Sequence, residues 1–210
     1  MPTDRALKLY TSDFDANNFS ELIPAYFIKN KEGKFDLYPA LDSTQLADQM
    51  PSIKKKYLLS ADYARVDMKE LLNAIKAKNM KEFVCETTTS VWFENLGNGQ
   101  FKQHALPIEA QFASINAIIA SDIDGDGSTD MVLAGNEYQE EATTGRYDAS
   151  YGLFLKGNGK GGFTKTDPLK SGFIIDGDVK DMVSIQTRKS KLVVAGVNDA
   201  AVKCFKINRK

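Results

Sequence analysis

The chain is poor in the residues that most often carry chemistry: it has one histidine and two cysteines in 210 residues. The single imidazole, His104, excludes histidine-rich zinc sites and argues against a His-based nucleophile system. Cys85 and Cys204 stand far apart in the sequence. They fit neither a CxxC metal motif nor a disulfide scaffold, so each reads as a buried free thiol, with one long-range bridge as the alternative. No apolar run approaches the roughly 18–20 residues a membrane-crossing helix needs. Neither sign of charge dominates. The 27 Lys+Arg face 28 Asp+Glu without long blocks, which argues against a nucleic-acid footprint. Met1-Pro2-Thr3-Asp4-Arg5 offers no apolar core of a secretory signal, and Leu7–Tyr10 already reads as a strand, so the chain is expected to start inside a structural unit. The rest, 42% apolar and 26% charged, suits an ordinary globular domain, or one with a small insertion.

What the sequence does contain is repetition. Two acidic nonapeptides stand out, Asp13-Phe-Asp-Ala-Asn-Asn-Phe-Ser-Glu21 and Asp122-Ile-Asp-Gly-Asp-Gly-Ser-Thr-Asp130. Each follows a strand-like stretch (6–10 and 115–120) and runs into another (22–28 and 131–134). A third, damaged copy is Asp176-Gly-Asp178-Val-Lys-Asp181, with Lys180 among its carboxylates. An ammonium there replaces a cation electrostatically, so no metal is expected in it. A second recurring element is a glycine hairpin flanked by aromatics, at Phe27–Phe35, Phe93–Phe101 and Phe154–Phe163. Gly and Asn supply the positive φ of tight hairpin turns, and aromatics suit a half-buried pleated surface. A fourth hairpin closes the chain over 192–207. Strand, acidic loop, strand, hairpin, strand describes four-stranded antiparallel sheet, which arranged radially makes a β-propeller; an irregular β-sandwich is the alternative. Between Leu37 and Cys85 the texture becomes helical. Asp67-Met-Lys-Glu70 resembles a capping box, and Met68, Leu71, Leu72 and Ile75 share one helix face. Segments 46–50 and 52–58 read as shorter helical pieces, and Lys54-Lys55-Lys56 as a solvated polar face.

The acidic loops have the spacing of a hard-cation site. In the second, Asp122, Asp124, Asp126 and Asp130 occupy positions 1, 3, 5 and 9, and Ser128 offers a main-chain carbonyl at 7. Ca²⁺ takes roughly 6–8 oxygen ligands at ~2.3–2.6 Å, and so many carboxylates repel one another without a cation. An unliganded acidic turn is the alternative. Position 12 is Leu133, and a strand follows in place of a helix, so this is not an EF-hand. In the first loop Asp13, Asp15, Asn17, Phe19 and Glu21 take the same places with one charge fewer, and the second metal expected there is the weaker one. Ala16 and Asn18 stand where the second loop has glycine; Asn tolerates left-handed backbone better than most residues.

These loops and hairpins resemble FG-GAP/VCBS repeats, the units of integrin-α-like calcium-binding propellers. Trp92–Phe101, Leu106–Gln111, Thr144–Ala149, Met50–Lys56 and Ala61–Ala64 look like the C-terminal region of large exported FG-GAP proteins of Bacteroidetes-type bacteria, often associated with an ASPIC/UnbV segment. The resemblance implies that Asp122, Asp124, Asp126, Ser128 and Asp130 hold Ca²⁺. It implies the same, with departures, for Asp13, Asp15, Asn17, Phe19 and Glu21. It also implies an extracellular, cell-surface or periplasmic location. The fold expected is mainly β, a partial or small propeller over 1–210 with a helical insertion at approximately 38–85. Outside that insertion there is chain for roughly three to four blades of ~40–45 residues, at or below the number that closes a propeller. The chain therefore reads as the C-terminal piece of a longer protein.

The long polar stretch after the second acidic loop is the natural place for a ligand surface, because loops on rigid sheets carry binding residues. Its candidates are Asn136, Glu137, Tyr138, Glu141, Arg146, Tyr147 and Asp148; the alternative is a loop pinned by an Arg146–Asp148 ion pair. Trp92 could stack on sugar but reads more readily as core. The function expected is a non-catalytic binding or scaffolding module for an unidentified protein or glycan. Two alternatives stand beside it. One is a glycan-active lyase or hydrolase, for which Glu137 and Glu141 are the nominees. The other is an assembly module that completes its propeller with another copy or with the rest of a longer chain.

Overall fold

The computed structural model describes residues 5–140 and 145–208. They form a mainly β protein that divides into two compact units, Met1–Thr88 and Thr89–Lys210. The sequence pattern predicts a single propeller fragment over 1–210, where the structure has these two units.

In the first unit, β1 (Leu7–Ser12), β2 (Glu21–Lys29) and β3 (Phe35–Pro39) form an antiparallel meander, and β4 (Lys81–Cys85) adds antiparallel to the free edge of β1. The sheet order is β3-β2-β1-β4. β2 shows why it is a strand: Ile23 and Ala25 are buried while Leu22 and Tyr26 are exposed, the period-2 pattern of a sheet with one covered face. That face is covered by α1 (Ser43–Gln49), α2 (Ser52–Lys56), α3 (Ser60–Tyr63) and α4 (Met68–Ala74). Leu46, Met50, Ile53, Tyr63, Met68 and Leu71 pack on Tyr10, Ile23 and Ala25. Two N-caps set the helix starts. The Asp67 side chain accepts from the Glu70 amide, and Asp42 forms a full capping box with Gln45. Burial also pushes the Tyr63 phenol well above its usual pKa, while its hydroxyl donates to the Leu41 carbonyl at 3.0 Å.

The helices thus lie within 43–74, inside the expected 38–85, and 81–85 is strand. All five residues of β4 are exposed, so it carries no alternation by which it could be recognised. Lys8 on β1 pairs with Glu82 on β4 at 2.6 Å.

The second unit opens with the hairpin β5 (Val91–Gly97) and β6 (Gln100–Ala105). A meander follows of β7 (Ile115–Ser121), β8 (Asp130–Gly135), β9 (Leu153–Gly157) and β10 (Phe163–Lys165), in the order β10-β9-β8-β7. After the short α5 (Pro168–Ser171), β11 (Val179–Gln186), β12 (Lys191–Val197) and β13 (Lys203–Ile207) make a three-stranded sheet. One core joins the last two sheets: Ala117, Ile119, Val132 and Ala134 meet Phe173, Ile175, Val179, Met182 and Val193. A smaller core holds Leu106, Ala110, Leu133, Leu153 and Leu155, with Trp92 and Phe163 packed against it. Among the described residues no sheet closes into a barrel.

Two of the sequence expectations change here. Cys85 and Cys204 are free but exposed, not buried. The third acidic run does not repeat the loop. It lies before and at the start of β11, the first strand of its sheet, whereas the two nonapeptides each join a first strand to a second. The corresponding connection, between β11 and β12, is a tight turn in which Thr187 Oγ1 donates to the Ser190 carbonyl at 2.7 Å. Lys180 does take the place of a cation, 2.9 Å from buried Asp178 and 2.8 Å from Glu137, and Lys203 pairs with Asp176.

The Lys8 ammonium holds the Glu82 carboxyl below its ordinary range. A carboxyl depressed in the folded state contributes stability that is present above its unfolded pKa of about 4.3 and lost as pH falls through the folded value. Lys8→Met is expected to cost at most about 1 kcal/mol at pH 7, as exposed pairs do. That gap should close below about pH 4 in urea titrations; a gap independent of pH would refute the assignment.

Candidate metal centres

The second acidic loop hangs between β7 and β8 and is built around a buried acid. Asp130, the first residue of β8, is fully buried. Its Oδ2 accepts from the amides of Ile123 at 3.0 Å and Asp124 at 3.4 Å, and its Oδ1 from Gly157 on β9 at 2.9 Å. One acid therefore ties the loop, the second strand and the third. Asp122 accepts from the Gly125 and Gly127 amides at 2.7 and 3.2 Å. Those glycines have φ of +87° and +85°, which costs them nothing. One carboxylate oxygen from each of Asp122, Asp124 and Asp130 lies within 4.8 Å of the others. Gly157 is fixed by proximity: a Cβ there would lie 2.0 Å from the Thr129 carbonyl oxygen.

Asp126 is exposed and turns to Lys156 on β9, at 2.9 Å, with Ser128 donating its amide to the other oxygen at 2.8 Å. The same ammonium pairs with Asp124. Lys156, and after it the Ser128 amide, hold the Asp126 carboxyl below its ordinary range. The two carboxylates, Asp124 first, raise the Lys156 pKa in turn.

The first loop, between β1 and β2, has the same construction. Glu21 opens β2, is 4% exposed, and accepts from the Phe14 amide at 2.7 Å, as Asp130 does from Ile123. Asp13 accepts from the amides of Asn17 and Asn18, positions 5 and 6, at 3.0 and 2.9 Å, where Asp122 accepts from positions 4 and 6. The Asn17 side chain accepts from Phe19 at 2.7 Å. Ala16 and Asn18 have φ of +61° and +69°, matching the positions of Gly125 and Gly127. One oxygen each from Asp13, Asp15 and Glu21 falls within 4.8 Å of the others. Among the described residues no lysine or arginine pairs with this loop. The structure thus shows two acidic clusters able to hold a metal ion, each from a buried acid and two upstream aspartates. Asp126, Ser128, Asn17 and Phe19 shape the loops through the bonds just described.

The residues proposed as a ligand surface fare differently. Asn136 is not a surface residue: it is 1% exposed and has φ of +87°. Its amide donates to the carbonyls of Ser150 and Gly177 at 2.8 and 3.0 Å and accepts from Ser150 N at 3.0 Å. Asn116 on β7 donates to the carbonyls of Asn136 and Val179 at 2.8 and 3.0 Å. These two amides stitch β7 and β8 to the segment entering β11. Glu137 is held by Lys180, which lowers its pKa, and exchanges two 2.9 Å backbone bonds with Tyr147. The Arg146 guanidinium sits 4.9 Å over the Tyr138 ring, and among the described residues no Arg146–Asp148 ion pair forms. Tyr147 and Asp148 are exposed; Glu141 lies outside the described residues. Trp92 is half-buried, stacked on His104 at 4.4 Å and edge-on to Phe163 at 6.0 Å.

Compared with protein-family models, curated proteins and solved structures, the chain gives no match. Among the described residues no helix is long and apolar enough to cross a membrane.

Two substitutions test this construction by urea unfolding. Asn136→Ala leaves buried carbonyls and an amide unpaired and should cost about 2–4 kcal/mol, against about zero for a surface position. Ala16→Gly relieves a left-handed non-glycine residue and should stabilise by about 1 kcal/mol; a loss of stability would mean the loop does not hold that backbone.

Proposed function

We propose that this chain is a calcium-stabilised, non-catalytic binding or scaffolding module of FG-GAP/VCBS type, its sheets acting as blades of a complete or partial β-propeller. One observation carries the reading. Two loops far apart in the sequence share acids at positions 1, 3 and 9, the two left-handed residues at positions 4 and 6, and a buried ninth-position acid bonded to the amide of position 2. Chance acidic turns have no reason to converge on all three. The donors are oxygens alone, which suits Ca²⁺ over zinc or copper. A loop of adaptable irregular backbone suits it over Mg²⁺, which demands near-ideal octahedral geometry. The ion's work is structural: it neutralises carboxylates that the fold forces together, and so ties the first two strands of a sheet to each other.

Three features support a module without catalysis. Glu137 is tied to Lys180, His104 to Glu94 at 2.9 Å, and the Trp92 ring to its neighbours. An exported setting, extracellular, cell-surface or periplasmic, follows from the resemblance. It agrees with the ~10⁻⁴–10⁻³ M calcium affinities at which extracellular modules work.

Melting curves test the proposal. At a calcium concentration ten times Kd, each site adds about 1.4 kcal/mol, a shift of several degrees for a chain of this size. EDTA should lower Tm and millimolar Ca²⁺ restore it, with Mg²⁺ less effective. Asp130→Asn should remove the larger part of the response, and Asp13→Asn the smaller. A melting curve indifferent to EDTA and Ca²⁺ would refute it.

A further inference from the structure

We propose that calcium entering the second loop releases Lys156 into a cationic groove that binds an anionic polysaccharide; this rests on the calcium reading of that loop. The groove lies beside the loop, is open to solvent with a volume of about 720 Å³, and sets the three lysines Lys156, Lys165 and Lys170 and the hydroxyl of Thr164 against two carboxylates, Asp126 and Asp167. Among the described residues no aromatic ring lines it, so they offer nothing on which a neutral sugar would stack. Its three ammonium groups outnumber its two carboxylates, and with the hydroxyls they supply the chemistry that recognises carboxylate or sulfate groups along a sugar chain. Two of the cations are available. Lys165 reaches Glu109 only at 3.7 Å, and Lys170 has no acidic partner among the described residues. The third, Lys156, is occupied by Asp124 and Asp126.

Asp124 is where the two cations meet. It belongs to the carboxylate cluster with Asp122 and Asp130 and is at the same time a partner of Lys156. A dication binding its carboxylate at ~2.3–2.6 Å brings two positive charges next to the ammonium and repels it. Lys156 is 47% exposed and has a flexible four-carbon stem, so it can swing without disturbing β9. Calcium then changes the groove twice in the same direction: it sets a dication beside the acidic wall at Asp126 and frees a third ammonium. The loop without metal has its own counter-ion and a weakly charged groove; the loop with metal gives up that counter-ion to the ligand. The first loop has no such lysine, so the device belongs to the second alone.

The test measures binding of the full chain to dextran sulfate, carboxymethyl dextran and unmodified dextran at constant ionic strength, in Ca²⁺ or EDTA, with the calcium shift in Tm recorded on the same samples. Calcium should tighten binding to one or both charged dextrans by roughly tenfold. The sulfated or the carboxylated arm then identifies the preferred group. Lys156→Met should abolish this dependence while keeping the Tm response to calcium and tightening the loop for calcium roughly fivefold, by removing the competitor. Lys170→Ala should weaken the calcium-dependent binding and leave the Tm response untouched. Charged-dextran binding that is equal with and without calcium, or unchanged in Lys156→Met, overturns the inference and leaves the calcium reading standing, as does equal binding of unmodified dextran. A missing Tm response to calcium overturns both.

Discussion

A buried carboxylate at the start of a strand is the constraint on which the rest of this structure depends. Burying an ionised acid is unfavourable unless donors surround it, and Asp130 meets that condition by drawing two loop amides and one amide of β9 onto itself. In doing so it fixes the loop backbone, the beginning of β8 and the approach of β9. Glu21 does part of the same work in the first unit through the Phe14 amide. Once that acid is in place, the upstream aspartates are forced within a few ångströms of it. The charge problem this creates is met in one loop by Lys156 and in the other by backbone amides and solvent, with no cationic side chain paired to it among the described residues.

Polar groups also join the sheets of the second unit. Apolar residues from β7, β8, β11 and β12 supply the area that drives these sheets together, but such contacts are not directional. Asn116 and Asn136 add direction, because four backbone carbonyls must be met by their amides at fixed positions. Lys180 has a related part outside the core, joining Asp178 before β11 to Glu137 after β8. The acidic run that looked like a worn metal loop is therefore part of a seam between sheets.

The features legible in the sequence were those set by short-range geometry. Side-chain oxygens at positions 1, 3, 5 and 9 located both loops, aromatic-flanked Gly/Asn turns located the hairpins, and the i, i+3, i+4, i+7 pattern located α4. What escaped depended on partners far along the chain. Lys156 is more than thirty residues from Asp124 and meets it only because β9 pairs with β8. Asn136 reads as a surface residue because nothing local reveals that it follows the last strand residue into a buried left-handed turn. β4 escaped because an edge strand exposed at every position shows no alternation. The third acidic run misled because composition was conserved within the chain while its place in the strand order was not. The strand arrangement was legible only in part: the meanders agree with four-stranded units, but β4 lies on the β1 edge of its sheet, an addition that nothing in 81–85 foretold.

Gly157 shows how far a metal site extends beyond its ligands. It contributes no oxygen to the second loop, yet its amide holds Asp130 and its bare Cα allows β9 to lie against the Thr129 carbonyl. Any side chain at 157 would have to push that strand away, and the cluster would lose the acid on which it is centred. A relative of this protein could thus keep all five loop residues of the acidic motif and still have no working site. Counting ligands in such a sequence would overestimate its metal binding, and the glycine on the neighbouring strand is the position to read alongside them.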